Sequence, residues 1–241
     1  MINKNLLKTR FSKSLSTYQE YATVQQDMAK YLISLLPSKN YKNILELGCG
    51  TGFLTKLANQ NITFDNYTAI DIVKECKEYI NNINPHIEFI NQDIENIKPD
   101  KTYNLILSNA TFQWINNFEL FINNLKNYLE KDGTILFSTF GKKNFYEINQ
   151  AGQVSLPYYS LETLKEILSV YKIEILKETY YKLNFSSIKE MLEHIKNTGV
   201  NAINEKPWSI KDLNNFKKNY SKLYGEEYQL TYNPIYVMLK K

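Results

Sequence analysis

Cysteine, arginine and long apolar runs are scarce in this chain of 241 residues. The two cysteines, Cys49 and Cys76, are too few for a disulfide framework, so we expect a protein of the reducing cytoplasm. No run reaches the roughly 18 apolar residues of a membrane span, and residues 1–5 lack the apolar core of a secretion signal. We therefore expect neither a membrane span nor export.

The charge balance is mildly basic, with a formal net charge of +4. A basic tail is absent, so nucleic acid is not the expected partner, although an acidic protein is compatible with this charge. Hydrophobic residues make up 43% of the chain, which suits a globular α/β domain with an appended piece. We therefore predict a single domain over residues 1–241.

A strand, a glycine-rich turn and a helix are predicted in direct succession over residues 44–55. Gly48, Gly50 and Gly52 stand at alternate positions, where glycine lets the backbone approach a ligand without a Cβ in the way. Phe53 replaces the last glycine of a dinucleotide motif, and no Gly-Lys-Ser/Thr sequence follows to indicate a P-loop. The pattern resembles motif I of the class I S-adenosylmethionine-dependent methyltransferases. The alternative is a tight turn that binds no ligand.

This resemblance implies S-adenosylmethionine as the cofactor, held at the ends of the first strands. Glu46 would order the glycine turn or meet the amino group of the methionine part. Asp71 would accept hydrogen bonds from both ribose hydroxyls, as an acidic residue does at the same place in dinucleotide-binding folds. The alternative is that Asp71 is a helix N-cap. Asp93, followed by Ile94, would meet the adenine. No metal site is expected, and the predicted cofactor-binding residues are Glu46, Gly48, Gly50, Gly52, Asp71, Ile72, Asp93, Ile94, Ser108 and Asn109.

The order of apolar segments predicts an α/β fold, and the resemblance implies a Rossmann-like, seven-stranded, mostly parallel sheet with helices on both faces. Strands are predicted at residues 43–47, 66–72, 87–91, 103–109, 134–140, 172–185 and 228–239. Helices are predicted at residues 5–36, 53–61, 74–82, 118–129 and 161–170. Residues 1–37 form a predicted helical segment over the cofactor site. Asn233-Pro234 indicates a bulge or an edge position in the last strand.

Residues 186–227, here named the cap, form a predicted helical insertion between strands six and seven. Two amphipathic helices are expected, the first ended by Thr198-Gly199 and the second started by Ser209. From residue 189 to residue 222 the cap has seven lysines and four acidic residues, a balance of +3. The lysines indicate either a solvated helix face or a docking surface for an acidic partner. The lysines assigned to that surface are Lys189, Lys196, Lys217, Lys218 and Lys222.

Four stretches, spread over nearly the whole chain, resemble the malonyl-acyl-carrier-protein O-methyltransferases of biotin synthesis. They are residues 10–25, the glycine motif at 45–52, the Ser-Asn-Ala-Thr-Phe-Gln-Trp sequence at 108–114, and residues 192–201 of the cap. The segment after strand four lacks the Asn/Asp-Pro-Pro-Tyr/Phe sequence of amino-methyltransferases, which argues against bases or glutamine as substrates.

The second resemblance implies methyl transfer from S-adenosylmethionine to the free carboxylate of a malonyl thioester on acyl-carrier protein. The methyl ester would prime pimeloyl and biotin synthesis. A malonyl carboxylate is ionised at neutral pH, so no general base is expected. The candidates for positioning it are Arg10, Tyr18, Gln113 and His194. Two alternatives are a methyltransferase of a small free acid or a quinone, and a cofactor-binding subunit without catalysis.

Overall fold

The computed structural model describes residues 1–199 and 208–241, so Val200, Asn201 and Lys206 of the predicted cap lie outside the described residues. The main sheet is built from β1 (Asn40–Leu47), β2 (Thr63–Asp71), β3 (Glu88–Asn91), β4 (Tyr103–Ser108), β5 (Leu129–Phe140), β6 (Lys172–Glu178) and β9 (Pro234–Lys240). Their order is β3-β2-β1-β4-β5-β9-β6, and β9 runs antiparallel to both of its neighbours. The predicted seven-stranded, mostly parallel sheet is therefore confirmed.

Helices cover both faces of this sheet. They are α1 (Lys4–Tyr21), α2 (Thr23–Ser34), α3 (Phe53–Asn61), α4 (Cys76–Ile83), α5 (Phe118–Tyr128), α6 (Tyr146–Gly152), α7 (Leu161–Ile167), α8 (Ile188–Asn197) and α9 (Ile210–Tyr224). Successive strand residues point to opposite faces, so Ile44 joins the core beneath α2, α3 and α4 while Leu45 joins the core beneath α5 and α7. Both faces being buried explains why the central strands are apolar without alternation.

The neighbours of β1 determine where a ligand site can form. β1 pairs with β2 on one side and with β4 on the other, so the connections leaving β1 and β4 diverge at the carboxyl edge. Open α/β sheets bind ligands in the crevice at such a switch point. The glycine turn lies on one side of this crevice and Thr111 on the other, where its Oγ1 donates to the Gly48 carbonyl at 3.3 Å.

The single helix predicted for residues 5–36 is wrong, because this segment forms α1 and α2. Ala22 lies between them with φ −83° and ψ 45°, outside helical values, and its N–H closes α1 on the carbonyl of Tyr18. Ala22 is fully buried. Packing at this position, and not a helix-breaking residue type, therefore accounts for the bend.

The last two predicted strands are each divided. Residues 172–185 give β6 and β7 (Tyr181–Phe185), and residues 228–239 give β8 (Tyr228–Tyr232) and β9. β7 and β8 pair with each other in a separate two-stranded ladder. Asn233 stands at the break between β8 and β9, where its Nδ2 donates to Glu178 Oε1 at 3.0 Å and its Oδ1 accepts from the Lys143 N–H at 2.9 Å. The irregularity predicted there is a break between sheets, not a bulge.

The cap helices α8 and α9 follow in chain order between β7 and β8, as the sequence predicts. Ser209 caps α9 through a reciprocal arrangement with Asp212, in which each side chain accepts from the other residue's backbone N–H. The sequence did not predict α6, which packs against α9. None of the described helices is long and apolar enough to cross a bilayer.

Candidate active site

A cavity with an empty volume of about 1080 Å³ lies at the carboxyl ends of β1 to β5. Its walls come from α1, α2, the glycine turn, the exits of the parallel strands and the end of α8. A concave space whose wall combines apolar side chains with polar groups is typical of a ligand site. The predicted site residues that line it are Tyr18, Glu46, Gly48, Gly50, Asp71, Ile72, Asp93, Ile94, Asn109 and Gln113.

The three glycines of the turn all adopt positive φ, with values of 77° at Gly48, 52° at Gly50 and 76° at Gly52. A Cβ at Gly48 would lie 2.3 Å from Thr111 Cγ2, and a Cβ at Gly52 would lie 2.4 Å from Ile83 Cδ1. Glycine is therefore required by backbone conformation and by packing. Gly52 sits at the start of α3 and is outside the described cavity wall.

Glu46 is a buried carboxyl group that connects three elements beside the cavity. Its Oε2 accepts from Thr55 Oγ1 and from the Tyr67 hydroxyl, both at 2.6 Å, which ties β1 to α3 and β2. Burial raises the pKa of Glu46 to about 7, and the two hydrogen bonds oppose this rise. The carboxyl group thus fixes β1 against α3 and β2 on both sides of the glycine turn. The two roles that the sequence left open, ordering the turn and meeting the amino group, stay predictions.

Asp71 joins the end of β2 to the glycine turn. Its Oδ2 accepts from the Gly50 N–H and its Oδ1 from the Val73 N–H, each at 2.9 Å. Burial raises its pKa, while these backbone bonds act in the opposite direction. Because α4 begins only at Cys76 with Glu75 as its N-cap residue, the alternative of a helix N-cap is wrong for Asp71.

Asp93 begins a short 3-10 turn at residues 94–96, where its Oδ1 accepts from the Glu95 N–H at 3.1 Å. Lys4 of α1 reaches the same place, with its Nζ 3.4 Å from Asp93 Oδ1 and 3.3 Å from Glu95 Oε1. Lys4 also lines the cavity. The sequence prediction missed this lysine, which attaches the start of α1 to the exit of β3.

The exit of β4 is fixed by a chain of side-chain bonds. Asn109 Nδ2 donates to the Gln25 carbonyl at 2.9 Å, and Ser138 Oγ donates to Asn109 Oδ1 at 2.6 Å. Ala110 has a positive φ of 51°, and its carbonyl accepts from Gln113 Nε2 at 2.6 Å. These bonds hold Gln113 against the cavity.

Phe112 and Trp114, two aromatic residues after β4, differ in their surroundings. Phe112 is 2% exposed and packs in a ring cluster with Phe121 and Phe137. Trp114 lines the cavity. The 3-10 turn at residues 112–114 thus places Phe112 in the core and Gln113 and Trp114 in the wall.

Three other predicted site residues are not part of the cavity wall that the described residues form. Ser108 is fully buried, and its Oγ donates to the Leu47 carbonyl at 2.7 Å beneath the cavity floor. His194 lies behind the wall, with its Nε2 2.8 Å from the Tyr232 hydroxyl. Arg10 is half-buried on α1, about 100° around the helix from Phe11, which does line the cavity.

Several buried polar atoms of the cavity wall have no hydrogen-bond partner among residues 1–199 and 208–241. They are Gln25 Oε1, Thr51 Oγ1 and Gln113 Oε1. Buried polar atoms are nearly always paired in folded proteins, so these three indicate groups that a ligand would satisfy. The sequence prediction named only Gln113 of the three. The signal for Gln25 was a glutamine within the apolar face of α2.

The cap closes one side of the cavity. Thr198 and Gly199, at the end of α8, belong to the wall, and Thr17 Oγ1 of α1 donates to the Asn197 carbonyl at 3.1 Å. The lysines assigned to the docking surface are all exposed: Lys189, Lys196, Lys217, Lys218 and Lys222. Glu226 and Glu227 reduce the balance from +3 to +1 when the whole of residues 186–227 is counted, with seven lysines against six acidic residues.

Comparison of the sequence with known proteins identifies the family of this chain. A family model described as a methyltransferase domain matches residues 18–190. A malonyl-[acyl-carrier protein] O-methyltransferase 2 from Ilyobacter polytropus is 38% identical, with 100% of this chain and 99% of that protein covered. A malonyl-[acyl-carrier protein] O-methyltransferase from Chlorobium luteolum is 32% identical, with 100% of this chain and 97% of that protein covered.

Solved structures share the fold at low identity. A putative methyltransferase from Bacillus halodurans has a TM-score of 0.66 at 12% identity, with 88% of this chain and 98% of that chain covered. The N-methyltransferase NodS from Bradyrhizobium japonicum, solved with S-adenosyl-L-homocysteine, has a TM-score of 0.54 at 15% identity, with 93% and 98% covered. The chain therefore has the class I methyltransferase fold, and it belongs to the malonyl-[acyl-carrier protein] O-methyltransferase family.

Proposed function

We propose that this chain transfers a methyl group from S-adenosylmethionine to the free carboxylate of a malonyl thioester carried on acyl-carrier protein. The observation that carries the proposal is the identity of 38% over the full length to a relative named for that reaction. By the family resemblance, the methyl ester would prime pimeloyl and biotin synthesis. The two cysteines are free and buried thiols, which supports the reducing cytoplasm as the place of action.

The residues of the cavity fit S-adenosylmethionine. That molecule carries a sulfonium, an ammonium, an adenine amine and two ribose hydroxyls, and so presents positive charge and hydrogen-bond donors. The wall offers the carboxyl groups of Asp71 and Asp93 and the unpartnered oxygens of Gln25 and Gln113. When bound, the cofactor supplies an electrophilic methyl group on its sulfonium.

The proposed cofactor contacts follow the exits of the strands. The turn of Gly48 and Gly50 would hold the methionine part, beside Glu46. Asp71 would accept from the ribose hydroxyls with the second lone pair of each oxygen, since one lone pair of each already holds a backbone N–H. Asp93 would accept from the adenine amine, with Ile72 and Ile94 packed on the rings.

The acceptor needs orientation and not proton removal, because its carboxylate is already ionised at neutral pH. Tyr18 and Gln113 are the cavity-lining candidates for this task among those the sequence named. Burial, together with the charge of Asp71, raises the pKa of Tyr18, so its hydroxyl keeps its proton and can donate to a carboxylate. Enclosure by α1 and the cap would exclude water from the reacting groups.

The exposed cap lysines are proposed as the docking surface for the acidic carrier protein. Lys189 lies 3.8 Å from Glu193, and the other four lysines make no salt bridge with any residue that the structure describes. The net charge of residues 186–227 is only +1, so the overall charge of the cap gives this assignment little support. Its main support is the clustering of Lys217, Lys218 and Lys222 on α9. The remaining interpretation is an ordinary solvated helix face.

The test is a panel of acceptors incubated with methyl-labelled S-adenosylmethionine. The panel contains malonyl and acetyl carrier proteins, malonyl-coenzyme A and free aconitate. We expect label on the malonyl carrier and none on the acetyl carrier. Label on aconitate with none on any malonyl thioester would replace the proposal with methylation of a small free acid.

A further inference from the structure

A second cavity, with an empty volume of about 410 Å³, lies beside the candidate active site and has no part yet in the proposed reaction. Gln113, Ile115 and Phe140 line both cavities, so the two spaces share a wall. The lining of the second cavity also includes Asn116 and Pro157, which are exposed to solvent. The second cavity therefore extends from the wall of the candidate active site to the protein surface.

The lining of the second cavity is mostly aromatic and aliphatic, and the segment that contains Tyr158 and Tyr159 forms part of it. The backbone of Tyr159 pairs with Gly141, just after β5, in a parallel bridge. The ring centroid of Tyr159 lies 5.6 Å from that of Phe118 at the start of α5. This side of the cavity is therefore attached to two elements of the main fold.

The Tyr158 hydroxyl belongs to a hydrogen-bonded chain whose direction is fixed. The backbone N–H of Asn233, which can only donate, donates to Asn144 Oδ1 at 3.2 Å. The amide oxygen of Asn144 therefore faces Asn233, and its amide nitrogen donates to the Tyr158 hydroxyl at 2.9 Å. The Tyr158 oxygen is the acceptor in this bond, so its own proton points away from Asn144.

The proton of the Tyr158 hydroxyl is available to a ligand. A hydroxyl donates one hydrogen bond as well as accepting, and no residue among 1–199 and 208–241 accepts from Tyr158. Burial raises the pKa of Tyr158, so the hydroxyl keeps its proton at neutral pH. The wall of the second cavity thus contains a buried donor, held in place by Asn144, which is itself only 3% exposed.

The proposed acyl acceptor has a shape that requires two connected spaces. Its carboxylate has to reach the cofactor in the main cavity, while the rest of the molecule leads outward to the carrier protein. In a malonyl thioester the thioester carbonyl follows the carboxylate after one methylene group. The carbonyl oxygen accepts hydrogen bonds and cannot donate one, so it suits a donor placed just beyond the main cavity.

We propose that the second cavity binds the thioester arm of the acyl acceptor, and that Tyr158 donates a hydrogen bond to the thioester carbonyl oxygen. Asn144 is a positioning residue, because its amide directs the Tyr158 proton away from itself. The inference rests on the proposed function and adds a substrate subsite to it. Coenzyme A carries the same arm as the carrier protein, so the subsite acts equally on both kinds of thioester.

The first test replaces Tyr158 with phenylalanine. We expect kcat/KM for the malonyl carrier and for malonyl-coenzyme A to fall by the same factor, about three- to tenfold, since one hydrogen bond is lost. The affinity for S-adenosylhomocysteine should stay within about twofold, because Tyr158 is not part of the main cavity wall. Tyr171→Phe is the matched control. Its hydroxyl donates to the Ile122 carbonyl at 2.7 Å, and it should leave kcat/KM unchanged.

The second test reverses the hydrogen bond and keeps the tyrosine. In Asn144→Asp the carboxylate cannot donate, so the Tyr158 hydroxyl turns its proton toward residue 144 and away from the cavity. We expect kcat/KM to fall as it does in Tyr158→Phe. In the Tyr158→Phe background the same change should have no further effect on kcat/KM, because both substitutions remove one interaction. Thermal unfolding of each variant verifies that it is folded.

The third test measures binding of the arm without methyl transfer. Acetyl-coenzyme A has the arm and the thioester carbonyl but no carboxylate to be methylated. Calorimetry should show that it binds the complex of the protein with S-adenosylhomocysteine, and that Tyr158→Phe and Pro157→Trp weaken this binding at least about threefold. Ser155→Trp is the control for Pro157→Trp, because Ser155 is exposed in the same segment and lines neither cavity.

The outcomes separate this inference from the function on which it rests. Unchanged kcat/KM in Tyr158→Phe, wild-type kcat/KM in Asn144→Asp, or equal binding of acetyl-coenzyme A to Pro157→Trp and wild type would overturn the inference alone. Absence of methyl transfer by the wild-type chain to every malonyl thioester would contradict the proposed function. Binding of acetyl-coenzyme A that depends on Tyr158 would in that case still identify a thioester subsite.

Discussion

At the scale of single residues, Asp71 combines a role in the fold with a proposed role in binding. An Asp71→Asn variant keeps the shape but loses the charge and one acceptor oxygen. We expect the affinity for S-adenosylhomocysteine to fall by at least about tenfold, because ribose hydroxyls would lose a charge-assisted partner. Calorimetric titration measures this. Asp65→Asn, on the exposed part of β2, is the control, and equal affinity of both variants would remove Asp71 from the ribose site.

Glu46 gives a prediction about pH. Burial raises its pKa from 4.5 to about 7, so folding favours the protonated form. The contribution of Glu46 to the free energy of unfolding is therefore greatest at pH values below its pKa in the unfolded chain, and it falls as the pH rises toward 7. Between pH values of about 5 and about 8 we expect the wild type to lose about 2 to 3 kcal/mol relative to Glu46→Gln. Urea unfolding at both pH values tests this, and parallel curves for the two proteins would refute it.

The residues that the sequence correctly placed beside the cavity are those of one short motif. Gly48, Gly50 and Glu46 belong to the strand and turn of the motif itself. Their position beside the cavity therefore follows from their position in the motif. Arg10 stands on α1 next to the wall residue Phe11, and adjacent positions of a helix point in different directions. His194 stands on α8, where its ring contacts Tyr232 behind the wall. A sequence without a known helix orientation cannot make that distinction.

At the scale of elements, the capping of α9 is a local arrangement whose contribution to the free energy of unfolding can be measured. Ser209 Oγ accepts from the Asp212 N–H at 3.2 Å, and Asp212 Oδ2 accepts from the Ser209 N–H at 2.9 Å. Ser209→Ala should lower the free energy of unfolding by about 1 kcal/mol. Urea unfolding measures the loss, and Ser221→Ala near the other end of the same helix is the control. Equal stability of both variants would contradict the capping role.

Elements with local signals were predicted well, and those decided by packing were not. The bounds of α3 and the start of α9 agree with the sequence prediction, since a glycine turn and a capping box mark them. The bend at Ala22 has no such signal, because alanine favours helix continuation. The division of the last strands depends on Asn233, whose partners Glu178 and Lys143 are far apart in sequence.

At the scale of the whole molecule, the exposed lysines of the cap are the proposed docking surface for the carrier protein. Replacing Lys217 and Lys218 with glutamate should raise KM for the malonyl carrier several-fold and flatten its dependence on salt, because charge steers association. KM for malonyl-coenzyme A, which lacks the carrier protein, should change little in the same variant. Equal KM values for the carrier in variant and wild type would return these lysines to a solvated helix face.

The seven-stranded, mostly parallel sheet was predictable from the sequence because the glycine motif resembles that of a family with this fold. The ladder of β7 and β8, which contacts the cap, was not predictable. Each of the last two predicted strands divides into two strands that enter different sheets. The division into one methyltransferase domain, with a helical segment at residues 1–37 and a cap at 186–227, stays a prediction.

In the proposed reaction the methyl group goes to the malonyl carboxylate. The most direct measurement is mass spectrometry of the acyl arm released from the malonyl carrier after reaction with methyl-labelled S-adenosylmethionine. We predict one labelled methyl group on the terminal carboxyl, present as an ester that alkali removes. A label that resists alkali, or one found on the carrier polypeptide, would exclude the malonyl carboxylate as the acceptor.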